Sequence, residues 1–428
     1  MKNIFVAILL TIICSLYYFP ITLKALPMIN SKMFLAALGI ALFAWEQIIR
    51  NRTLSIRKEM LLVLLFGLFV SLWSYCSVVY NNTSDFAYVT YFVSMSVWLG
   101  GAYTVIYVLK VVYGKVTYKL VFKYLTYVCT AQCVLALIID HVPSFAIAVD
   151  SVVQQMSLEY YEKNPRIYGI GAAFDTAGIR FSCVLLAVAY LINNTRNEVE
   201  RGICIATMVV ISVVGNMISR TTVLGIVLSL LYLMLANGSW LKAYITSKKI
   251  LWVTGLFIIS VILYNLGSYM YVVNPGFREA FDYGFEGFIN LFNTGEFATN
   301  SSDMLFRGLA SEGLLPDNTK TWLIGDGWFN APYSPGDFYA GTDSGYIVFI
   351  YYSGIIGLLM FVAYFTASTY LLCKRDMNMI LFFFCVFLLQ FLVWIKIPTD
   401  LFCFYALLLL VNSPSENIAG NIVQEKMS

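Results

Sequence analysis

Charge is what this chain has least of. Only 12% of its 428 residues are Asp, Glu, Lys or Arg, while 60% are hydrophobic and 16% aromatic. A soluble domain carries roughly twice that share of charge, about 25%, so the composition excludes a soluble globular enzyme. The same apolar excess excludes disorder, whose signature is low hydrophobicity. Histidine is nearly absent too. With His141 as the single histidine, a His-based metal site is disfavoured. The nine cysteines all fall in or beside apolar runs, against a disulfide framework. Cys129 and Cys133 stand four apart, but with no nearby His or second Cys pair they read as packing residues. There is no phosphate-cradling glycine loop, no Gly-x-Ser-x-Gly elbow and no Asp-x-Asp pair. A cytoplasmic nucleotide-sugar transferase is therefore unsupported, no cofactor is implied, and the dispersed basic residues give no nucleic-acid surface.

What the chain does have is long apolar runs. A bilayer span takes about 20 such residues, and runs are readable at 3–21, 31–49, 60–80, 87–109, 120–142, 171–193, 202–216, 218–236, 250–270, 344–372, 379–395 and 399–412. The expectation is an all-α polytopic membrane protein, one integral membrane domain over 1–428 with about 12 transmembrane helices, two of them a tight pair joined near Gly215. The first run lacks an Ala-x-Ala cleavage site and reads as a retained span. Placing both termini in the cytoplasm puts 17 of the 27 Lys and Arg on the inner side, as the positive-inside rule requires. The outer side then holds 10 basic and 17 acidic residues. Two outer segments exceed ordinary connections: 143–170, and 271–343 between the ninth and tenth spans. In the longer one Phe277, Phe281, Phe285, Phe288 and Phe292 recur at helical spacing. That reads either as an amphipathic helix on the outer membrane surface or as a helix packed on the bundle.

The outer arginines are the candidates for chemistry. Arg220, in Gly215-Asn216-Met217-Ile218-Ser219-Arg220-Thr221-Thr222, opens an otherwise uncharged span. It either snorkels to the interface or faces a functional cavity, since a charge at the hydrocarbon edge costs roughly a few kcal/mol unless paired or wet. Asp175 and Arg180 lie five apart near the outer end of a span and read as an ion pair or as site residues. Arg166 follows Pro165, and Arg307 sits in an apolar patch of the long loop; each reads equally as a surface residue. Arginine's planar fork suits bidentate phosphate binding, so arginines gathered on one side suggest a lipid-borne phosphate headgroup. Asp326 and Asp343 are the candidate proton acceptors. Asp343 stands where the long loop re-enters the membrane, where partial burial would make it a better base; the alternative is that it caps the next helix.

The order of these features resembles the superfamily of O-antigen polymerases (Wzy-type) and O-antigen ligases. The motifs are Ser219-Arg220-Thr221 at a span start, Arg307 followed by the Trp322-Leu323-Ile324-Gly325-Asp326-Gly327 stretch, the loop exit Thr342-Asp343-Ser344-Gly345-Tyr346, then Tyr351-Tyr352-Ser353-Gly354-Ile355-Ile356-Gly357, with Arg166-Ile167-Tyr168-Gly169 before an earlier span. They cover about residues 160–365. Ligases carry His-Asn at the loop exit where this chain has Asp343-Ser344, which favours the polymerase branch. The resemblance implies a glycosyltransferase of the bacterial inner membrane, active on its outer face. Its substrates would be oligosaccharide units on undecaprenyl diphosphate, joined into O-antigen, lipopolysaccharide or capsule-type polysaccharide. It implies Arg220 and Arg307 stabilising the diphosphate leaving group without a metal, and Asp343 as base. Arg166, Arg180, Asp175, Asp326, Trp322, Trp328 and Tyr346 would bind substrate, and a chain-length regulator and a flippase would be partners. A ligase, or a transporter of lipid-linked glycans, is the alternative.

Overall fold

A computed structural model of the chain describes residues 4–50, 58–154, 166–236, 265, 267–296, 298, 299, 303, 314–334 and 336–411. In hydrocarbon every backbone N–H and C=O must bond within its own segment, and the apolar runs accordingly form helices. They are α1 (Ile4–Tyr18), α2 (Ser31–Ala44, continued as a π-helix through Trp45–Arg50), α3 (Lys58–Tyr80), α4 (Tyr91–Tyr113), α5 (Tyr118–His141), α6 (Pro143–Val152), α7 (Phe174–Asn194), α8 (Glu198–Ile218) and α9 (Thr222–Leu235). After the long loop's helix α10 (Pro275–Thr294) come the single-turn α11 (Thr319–Leu323), then α12 (Gly345–Arg375), α13 (Ile380–Val393) and α14 (Phe402–Leu410). Among the described residues, seven helices are long and apolar enough to cross a membrane. Among the described residues, strand structure is confined to a hairpin of Thr22–Leu23 and Leu26–Asn30 and isolated bridges. Most of the run 250–270 lies outside the described residues, as does Arg307.

The chain divides into two compact units: Met1–Pro20, Ile29–Val121 and Asn300–Ser428 form unit 1, and Ile21–Met28 with Phe122–Thr299 form unit 2. In unit 2, α7 is the central helix, with Phe181, Leu185, Leu186 and Val188 fully buried. Small residues let its neighbours approach, the usual route to tight packing between membrane helices. A Cβ on Gly225 of α9 would come within 2.2 Å of the Ser182 Cα. The Ser182 hydroxyl donates to the Thr221 carbonyl at 3.0 Å and accepts from the Gly225 N–H at 3.2 Å. The join between α8 and α9 lies at 219–221, one turn beyond the expected Gly215. The Gly215 carbonyl accepts from the Ser219 N–H and the Thr222 hydroxyl, both at 2.9 Å, which carries α8 on to Ile218.

The long loop's helix is packed on the bundle, and its small residues make the closest approach. Ala280, Gly284 and Gly287, spaced i, i+4, i+7, are the buried residues of α10. A Cβ on Gly284 would stand 3.1 Å from the Asn216 carbonyl oxygen and the Met217 Cα of α8. Phe277, Phe281 and Phe285 stack successively along the helix with centroids 6.3 and 4.6 Å apart, and Phe292 is exposed.

Unit 1 contains a broken span. α12 is interrupted at Gly354 (φ 68°, ψ −178°), a region essentially restricted to glycine. The break frees carbonyls that would cost roughly 2–7 kcal/mol each if left bare in an apolar medium. Residues 324–327, carrying the Gly-Asp-Gly motif, lie across the gap. The Asp326 N–H donates to the Tyr351 carbonyl at 2.6 Å and the Gly327 N–H to the Tyr352 carbonyl at 3.1 Å. From α3, the Trp73 indole N–H and the Ser77 hydroxyl donate to the Ser353 and Tyr352 carbonyls, each at 2.8 Å. The two glycine-rich motifs seen in the sequence are thus each other's backbone partners.

Candidate anion-binding site

Arg166 and Arg220 converge in unit 2. Arg166 leads a short loop pinned to α5 by the Gln132 amide, which accepts from the Ile170 N–H and donates to the Ile170 carbonyl, both at 2.9 Å. Ile167 and Tyr168 bury behind it. The loop runs into α7 through Phe174, whose φ of 56° is an outlier for a bulky residue. The Phe174 ring lies 5.8 Å from the Arg166 guanidinium.

Arg220 is carried on the tight turn between α8 and α9. Asp175 holds that turn, its Oδ1 accepting from the Ser219 and Thr221 hydroxyls on either side of Arg220, both at 2.8 Å. Gly178, one helical turn along α7, makes the fit possible: a Cβ there would be 2.5 Å from the Ser219 hydroxyl. Asp175 therefore positions Arg220, and Arg180 lies half-buried further along the same helix.

Both guanidiniums sit over the ring of Tyr283 on α10, Arg166 at 4.6 Å and Arg220 at 4.2 Å from its centroid. Such contacts contribute about 0.5–2 kcal/mol each, more as they are desolvated. Burial pushes the Tyr283 phenol above its ordinary range, against the opposing pull of Arg166 and Arg220, so the ring stays neutral at physiological pH. One turn further along α10, Glu286 pairs with Arg220, the side chains 21% and 12% exposed. Among the described residues Arg166 has no carboxylate partner. The neighbouring Asn216 is fully buried, its amide N–H donating to the Gly284 carbonyl, which locks α10 to α8 beside the pair. The arrangement is a partly buried cationic cluster in which, among the described residues, Arg220 is paired with a carboxylate and Arg166 is not.

The remaining expected residues lie in unit 1, where most are committed to structure. The Asp326 carboxylate accepts from Lys320 at 2.5 Å and from the Thr321 hydroxyl at 2.7 Å. Lys320 also donates to the Asn81 side chain at 2.6 Å, so Asp326 clamps the segment across the α12 break. The Trp322 indole donates to the Pro316 carbonyl, and the Tyr346 hydroxyl to the Phe391 carbonyl. Trp328 is half-buried. Asp343 is exposed, and the residue capping α12 is Ser344, which makes no side-chain cap bond. The partial burial expected of Asp343, and its role as cap, are therefore not what the fold provides. Tyr283, Glu286 and the Asn81–Lys320 contact escaped the sequence reading. Tyr283 was legible only as one more aromatic among the phenylalanines of its helix.

Fold and site together define an all-α, membrane-embedded protein carrying an arginine–tyrosine–arginine cluster. The chain matches no family model, no curated protein and no solved structure.

Proposed function

We propose that this protein is a polysaccharide polymerase of the cytoplasmic membrane, joining oligosaccharide repeat units carried on undecaprenyl diphosphate at the outer face. The observation that carries the reading is the convergence of Arg166 and Arg220 on Tyr283; the motif order supplies the substrate class. In this reaction the bond from the donor sugar's anomeric carbon to the diphosphate oxygen breaks as the acceptor hydroxyl oxygen attacks. The lipid diphosphate leaves as an anion, and the acceptor proton passes to a general base. Fixed guanidiniums in a water-poor site stabilise the charge developing on the leaving group. A transport reading would call on the broken α12, since interrupted spans hold substrate in carriers. That gap, however, is bridged by the chain's own residues 324–327.

The test is a carbohydrate gel profile of a deletion strain complemented with Arg220→Lys or Arg166→Ala. The lysine variant keeps a charge for Glu286 but loses the fork. Long chains should collapse to single units while the protein remains in the membrane; wild-type chain lengths in both variants would overturn the assignment. A deletion that leaves finished polymer on the lipid carrier would establish a ligase instead, and one that strands repeat units inside the cell a transporter.

A further inference from the structure

The Arg220–Glu286 pair has a consequence for what the pocket admits. An anion approaching Arg220 must first displace a carboxylate that already neutralises it, and both side chains are largely shielded from solvent. A group with a single phosphoryl head can only exchange with the carboxylate at Arg220 and gains little. A diphosphate differs in kind, because its second phosphoryl group can reach Arg166, which among the described residues has no carboxylate partner. The two guanidinium carbons lie within 4.6 and 4.2 Å of one ring centroid, so they are close neighbours that a single two-headed ligand can bridge. Charge-assisted bidentate bonds to both forks then outweigh the pairing with Glu286 that is given up. The Tyr283 ring that both guanidiniums contact is neutral and adds no negative charge.

We infer that Glu286 is a specificity-determining residue, an internal counter-ion that makes the pocket select a diphosphate over a monophosphate. This rests on the reading of the pocket as the site of the lipid-diphosphate group and names the residue that filters its ligand. Glu286 enters no reacting bond; it acts through the charge state of Arg220 and through competition for its fork.

The experiment uses full-length protein in nanodiscs, with inorganic pyrophosphate and inorganic phosphate as probes in calorimetric titration. Wild type is expected to bind pyrophosphate at least tenfold tighter than phosphate. Glu286→Gln, which keeps the shape and a hydrogen bond but removes the charge, should strengthen phosphate binding more than pyrophosphate binding and narrow the ratio at least threefold. Arg166→Ala should narrow it from the other side, by weakening pyrophosphate alone. A ratio in Glu286→Gln within about 1.5-fold of wild type overturns the inference. Should Glu286→Gln fail to fold, Glu286→Asp, with its shorter reach, is read by the same criterion. Undecaprenyl diphosphate against undecaprenyl monophosphate in the nanodisc bilayer separates a lipid headgroup from a free anion as the ligand. If the ratio narrows as stated while Arg220→Lys cells make normal chains, the selectivity stands and the polymerase assignment falls. If the ratio is unmoved while those cells lose long chains, the reverse holds.

Discussion

At the scale of single residues, the pocket depends on a ring more than on a hydroxyl. Tyr283→Phe keeps both cation–ring contacts and should retain chain synthesis to within about threefold. Tyr283→Leu removes two contacts of about 0.5–2 kcal/mol each and should lose roughly tenfold or more, read as chain-length distribution at equal membrane abundance. The phenol also makes an alkaline signature. Its proton is held more tightly in the folded protein than in the unfolded chain, so stability is intact below the ordinary tyrosine value and falls as pH rises past it. Above about pH 10 the wild type should therefore lose more thermal stability than Tyr283→Phe. Gly354→Ala tests the other special residue. A Cβ there would lie 2.1 Å from the Leu323 carbonyl oxygen, and the backbone region alone costs about 1–3 kcal/mol for a non-glycine. The melting temperature in detergent should drop by several degrees.

At the scale of elements, the telling piece is α10. Its phenylalanines dominate the sequence and suggest that they make the contact face. The small stripe of Ala280, Gly284 and Gly287 has the same helical period, and it is the face that meets α8. Glycine carries no hydrophobic signal, so a close backbone approach is invisible to a reading that weights apolar side chains. Gly284→Leu should push α10 off α8, carry Tyr283 and Glu286 away from Arg220 and abolish long chains, whereas Phe292→Ala, at a position 87% exposed, should leave them unchanged. The spans themselves were legible because hydropathy is their cause. Asp175 was legible as half of an ion pair with Arg180 or as a site residue, but not as the holder of the turn that carries Arg220, since that contact spans 44 residues of sequence. For Asp326 the sequence suggests a site role, and the fold adds a structural one that could not be read from it: its carboxylate is engaged by Lys320 and Thr321.

At the scale of the whole molecule, the charge bias along the chain predicts which parts face out. In a background without native thiols, a cysteine at Phe292 should react with a membrane-impermeant maleimide on intact cells, and one at Arg196, between α7 and α8, only after permeabilisation. Labelling of both on intact cells would reverse the orientation proposed here. The broken α12 also bears on how such a chain enters the membrane. A span with a gap in its hydrogen bonding is a poor candidate for release into lipid by itself. Everything that closes this gap, Trp73 and Ser77 on α3 and then residues 324–327, precedes it in the chain. Synthesis from the N-terminus therefore delivers the seal before the opening, and the last quarter of the protein can be inserted in the order in which it is made.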